Sequence, residues 1–108
     1  MPFTKVDHTS KSLVITSIPQ DGGPDKYAAP ETNGNPILSH EINMNIPSGT
    51  ALFAAWYTPV DRINALTDFA LINVRIKDAN DVYLDLAAVA GKQSYLRIQI
   101  HVLFGVPA

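Results

Sequence analysis

The clearest pattern in the chain lies near its C-terminus. From Leu96 to Phe104 every even position is apolar (Leu96, Ile98, Ile100, Val102, Phe104), and Arg97, Gln99 and His101 stand between them, with Leu103 as the exception. Side chains alternate across a strand, so a period of two marks a strand buried on one face. Ala70 to Lys77 repeats it, with Ala70, Ile72, Val74 and Ile76 on one side and Leu71, Asn73, Arg75 and Lys77 on the other. Val82, Leu84 and Leu86 alternate with Tyr83 and Asp85. Asp78-Ala79-Asn80-Asp81 and Gly91-Lys92-Gln93-Ser94 have the composition of hairpin turns. Directly opposed residues share a face, so an unbroken apolar face calls for three-residue loops, with Asn80 in the left-handed position of the first. The pattern predicts a three-stranded meander over Ala70 to Phe104.

The first half is less regular. Leu13 to Ile18 is a β-branched run and reads as a strand, preceded by an N-terminal arm over residues 1–11. Residues 20–36 are rich in Pro, Gly, Asn and Asp and read as one long loop. Leu38, His40, Ile42, Met44 and Ile46 share one face of a further strand, opposite Ser39, Glu41, Asn43 and Asn45. Pro47-Ser48-Gly49-Thr50 turns the chain into Ala51 to Tyr57, apolar on both faces, as a central or covered strand would be. Thr58, Pro59 and Asp61 have the spacing of a helix start, so at most one short helix is expected near 59–66.

Short strands separated by turn signals predict an all-β fold, a small antiparallel β-sandwich of jelly-roll-like or Greek-key type. The 108 residues form a single domain, 1–108. The charged fraction of 17% is below the usual quarter and points to surface covered by a neighbouring subunit. The net charge is −2 and no basic cluster exists, which argues against nucleic acid and against a polybasic membrane segment. No apolar run reaches the roughly 20 residues that span a bilayer, and the polar start MPFTKVDHTSKS has no signal core. Without cysteine there is no thiol chemistry and no disulfide.

In the meander register, Arg75, Tyr83 and His101 form one outward row and Asn73, Asp85 and Gln99 the next, with Arg97 diagonal to Asp85. A flat row of planar hydrogen-bonding groups around an aromatic ring suits a sugar or a protein, although every half-exposed sheet has such a face. His40 lies on the apolar side of its strand, where a backbone carbonyl would satisfy it; Glu41 points the other way. Asp78, Asn80 and Asp81, with Asp21 and Asp25, could offer oxygen to calcium, but the glycine and terminal Glu of an EF-hand loop are missing, and hairpin turns call for the same residues. Neither a metal site nor a cofactor is therefore expected.

No serine elbow, phosphate loop or dinucleotide fingerprint is present. Trp56 and Tyr57 face opposite ways, with Trp56 expected to fill the core and the other ring to meet a second layer, a subunit or a ligand. Phe53, Tyr57, Leu71, Leu103 and Phe104 add apolar area where a subunit interface would cover it. The leading expectation is a non-catalytic, self-associating structural or binding module that forms a homo-oligomer. The first alternative is a lectin-like domain using the outward rows or the loop around Tyr27 and Asn33. The second is a small enzyme with His40 or His101 as base.

Overall fold

A computed structural model describes residues 3–17, 26–30, 37–60, 63–89 and 91–107. Its strands are β1 (Phe3–Thr16), β2 (Lys26–Ala28), β3 (Leu38–Asn43), β4 (Ala51–Pro59), β5 (Phe69–Ile76), β6 (Asp81–Ala88) and β7 (Tyr95–Pro107). The only helical segment among the described residues is a 3-10 turn, Ile63–Asp68. Pro59 closes β4 and Thr58 is a strand residue, so neither begins the expected helix, and Asp61 lies outside the described residues.

Two sheets pack face to face. The larger, sheet A, has the order β2-β1-β7-β4, and sheet B has the order β3-β6-β5. All pairings are antiparallel except the short parallel contact of β1 with β2. The expected antiparallel β-sandwich is therefore present. The expected meander is not: β5 and β6 form the predicted hairpin, but the third strand of sheet B is β3, and β7 crosses to sheet A.

The hairpin register is the predicted one, with Arg75 opposite Tyr83 and Asn73 opposite Asp85. Its loop closes through Lys77 N–H and Asp78 N–H on the Asp81 carbonyl, at 3.0 and 3.2 Å. Asp78 Oδ1 accepts the N–H groups of Asn80 and Asp81, both at 2.9 Å. That side-chain cap holds the turn, and Asn80 stays out of the left-handed region. Among the described non-glycine residues only Asn45 enters it, at φ 55°. Near the other end of the hairpin a bulge between Phe69 and Leu71 turns Phe69 into the core and leaves Ala70 exposed.

The second connection was expected to be a hairpin and is a crossover. Gly91, at φ 79°, helps turn the chain. Ser17 then ties the crossover to the end of β1: its N–H donates to the Ser94 carbonyl (3.0 Å) and its Oγ to the Lys92 carbonyl (3.0 Å). Ser94 N–H in turn donates to Ser17 Oγ at 2.7 Å. The apolar face of β7 thus looks across the sandwich at the apolar face of β6. Leu96, Ile98, Ile100 and Val102 meet Val82, Leu84 and Leu86, all 0% exposed, with Leu13, Ile15, Ile42, Met44 and Phe69 completing the core.

The residues expected to be an N-terminal arm are most of β1. Paired with β7 from Phe3 to Thr16, they make a 50 Å long molecule. Residues 20–36 are not one loop, because Lys26–Ala28 forms β2 and Ala29 is buried; Asp21, Asp25 and Asn33 lie outside the described residues. β4, expected to be central or covered, is the last strand of sheet A, with β5 running beside it where the sheets meet.

Since β7 and β6 supply opposite walls of one core, truncating either wall should cost alike. Ile98→Ala and Leu84→Ala are each expected to destabilise the fold by about 2–5 kcal/mol, read from urea unfolding midpoints.

Candidate functional site

The crossover of β7 divides the predicted outward rows between two surfaces. On sheet B the row ends are Ser39 and Glu41 of β3, in place of Gln99 and His101. Asp85 is the hub: Arg75 reaches it with Nε to Oδ2 at 2.8 Å and Nη2 to Oδ1 at 3.2 Å, Asn73 Nδ2 donates at 3.1 Å and Ser39 Oγ at 2.6 Å. The Arg75 guanidinium lies 4.2 Å from the Tyr83 ring centre, and Lys77 reaches Glu41 at 2.9 Å. Hydrogen bonding by Arg75, joined by Ser39 and Asn73, holds the Asp85 carboxyl below its ordinary range against the opposing effect of burial. The groups expected to receive a ligand here are engaged with each other, so this face acts as a clasp across the three strands of sheet B.

The outer face of sheet A carries a different arrangement. His101 of the central strand β7 is flanked by β1 and β4. Its Nδ1 lies 3.1 Å from His8 Nε2, and its Nε2 lies 3.0 Å from Thr58 Oγ1. The nitrogen contact accounts for most of the 5.3 Å between the two ring centres, and their planes differ by 19°, so the imidazoles meet edge to edge. The Trp56 indole runs nearly parallel to His101, 11° apart at 5.3 Å, an offset stack. It lies 6.1 Å from His8. The three ring centres form an almost equilateral triangle held by three strands. Trp56 is 39% exposed, and Val6 on the same face is 57% exposed. Ser10 and Gln99 continue the surface, with Gln99 Nε2 donating to Ser10 Oγ at 2.7 Å.

Chemically, the imidazole pair shares one hydrogen bond, so one nitrogen donates and the other accepts. Burial holds His101 below the ordinary histidine value, and the neighbouring His8 adds to the effect. His101 therefore favours the neutral form and bridges the Thr58 hydroxyl and His8 by hydrogen bonds.

The other candidate residues disperse. His40 Nε2 meets the Ala28 carbonyl at 2.9 Å, the backbone partner expected for it, and its ring packs edge-on to Tyr27. Phe104 lies in the core, and Tyr57, in place of the expected Trp56, is the ring that packs partly buried against it, because the alternation of β4 turns Trp56 outward. Leu71 and Leu103 are half-buried on the outer faces of sheets B and A, and Phe53 is exposed at a bulge in β4. No group of three His, Cys, Asp or Glu among the described residues is placed to hold a metal ion.

Sequence reasoning picked out His101 and Trp56 but not their common site, and it missed His8 and Thr58. His8 lies in a stretch without an apolar face, since Lys5, Asp7, Thr9 and Lys11 alternate with Val6, Ser10 and Ser12. Only the pairing with β7 makes that stretch a strand and brings His8 within reach. No protein family matches the chain, and no curated protein or solved structure matches it either.

Two outcomes test this geometry. Asp85→Ala leaves Ser39, Asn73 and Arg75 without their shared acceptor and should cost about 1–3 kcal/mol at neutral pH by chemical denaturation. For His101, a lowered pKa means that the unfolded chain binds the proton first as pH falls. Its contribution is then full above about pH 6.5 and lost as pH drops from there through the folded value. Denaturation midpoints should therefore fall between pH 7 and 5, with a shallower decline in His101→Gln.

Proposed function

We propose that this chain is a non-catalytic, self-associating β-sandwich module that binds saccharide rings on the outer face of sheet A. The observation that carries the reading is the His8–His101–Trp56 cluster on an open face. A sugar ring presents an apolar C–H face edged by hydroxyls. It is matched by an exposed indole face edged by neutral donors and acceptors, which here are Thr58, Ser10 and Gln99. The cluster is held from three strands, so little side-chain freedom remains to be lost on binding. The net charge of −2 and the neutral tendency of His101 favour an uncharged ligand over a phosphate or a nucleic acid.

Self-association is supported by separate features of the same sheet. Val6 and Phe53 are exposed apolar residues, and β1 has a long edge beyond the reach of β2.

Trp56 is the only tryptophan in the chain, so its emission reports the cluster directly. Titration with neutral oligosaccharides is expected to shift that emission. In a glycan array with calorimetric follow-up, Trp56→Ala and His101→Ala should each weaken binding at least about tenfold, as residues at the centre of a contact do. An array without a single bound glycan would sink the saccharide reading.

A further inference from the structure

We infer that two copies of this chain join edge to edge through β1, antiparallel, about a two-fold axis at Thr9. The inference rests on the self-associating reading and names its surface and register.

β2 covers β1 only from Val14 to Thr16, and among the described residues no strand lies beside Phe3 to Leu13 on that side. The direction of the backbone groups there is fixed by their hydrogen bonds. On the β7 side, Ser17 N–H donates to the Ser94 carbonyl (3.0 Å). On the opposite side, the Thr16 carbonyl accepts Ala29 N–H (2.8 Å), and His8 N–H is taken by the carboxylate of its own neighbour, Asp7 (2.9 Å). Alternation along the strand then aims the N–H and C=O groups of Val6, His8, Ser10 and Ser12 at the open edge. A strand added there finds a full ladder of partners.

The occupant is argued from charge. The open stretch carries Lys5, Asp7, Thr9 and Lys11 on one face, with Lys5 and Asp7 exposed and Lys11 half-buried. Among the described residues Lys11 holds a single long contact, 3.5 Å, to the Asn43 carbonyl. A two-fold axis must match this row with itself. Centred on Asp7 it opposes two carboxylates, and centred on His8 it opposes Lys5 to Lys11. Centred on Val6 it pairs Lys5 with Asp7, but the overlap ends at Thr9. Centred on Thr9 it sets each Asp7 against Lys11 of the second copy, at positions where antiparallel side chains come closest. This overlap runs from Lys5 to Leu13 and stops where β2 begins. His8 and Ser10 then exchange backbone hydrogen bonds, and Asp7 releases His8 N–H to the ladder as it turns to Lys11. The product joins two four-stranded sheets and places both ring clusters on one continuous face.

Sedimentation velocity of the full chain over a concentration series tests the inference. The wild type is expected to dimerise. Asp7→Lys and Lys11→Asp should each weaken the dimer about tenfold by creating like-charge pairs, and the double exchange should recover most of that loss. Ser12→Pro removes an edge-facing N–H, leaves the β7 ladder its donors and should abolish the dimer. A wild type that stays monomeric throughout overturns both this inference and the self-associating reading. A dimer indifferent to all four variants overturns the β1 edge alone. Weakening by both single exchanges without recovery in the double overturns the Thr9-centred register.

Discussion

The contact between the apolar faces of β7 and β6 across the sandwich determines the rest of this structure. Four side chains of β7 and three of β6 are sealed from solvent in it. Burial of that apolar area supplies most of the favourable free energy available to a chain of this size. Once β7 lies on the far wall, its two edges need hydrogen-bonding partners, and β1 and β4 provide them. The polar β1 is thus held as a strand by its ladder with β7, without an apolar stripe along its whole length.

That arrangement also sorts the polar residues. On sheet B, Asp85 is nearly buried beneath Arg75, Asn73 and Ser39, so a carboxylate that would be costly alone becomes a cross-strand tie. On sheet A, three strands bring His8, His101 and Trp56 together, and their hydrogen bonds leave aromatic surface open. One outer face is therefore satisfied internally, while the other leaves Trp56 and Val6 exposed.

The Ser17–Ser94 contact has a part larger than its size. It ties the end of β1 to the start of β7, at the point where the chain passes from one sheet to the other. A tight hairpin at Gly91–Ser94 would have returned β7 to the edge of β6. The hydroxyl of Ser17 instead satisfies backbone groups of the crossover, which lets the connection sit against the body of the protein.

The period-two stretches at residues 70–77, 82–86 and 96–104 determined by themselves that these segments are strands, which face of each is apolar, and how β5 and β6 pair through a three-residue loop. Turn residues and alternation are local properties, and the Arg75–Tyr83 and Asn73–Asp85 pairs follow from them. The neighbour of β7 is not a local property. Two strands with apolar faces satisfy burial equally well side by side in one sheet or opposite one another in two, and side-chain parity is the same in both. Only the packing of the whole chain, with β1 as a partner that no apolar pattern announces, chose the second arrangement. For the same reason the placement of Asp85 was half legible, through Asn73 and Arg75, while the meeting of His8, His101 and Trp56 was a decision of the tertiary structure.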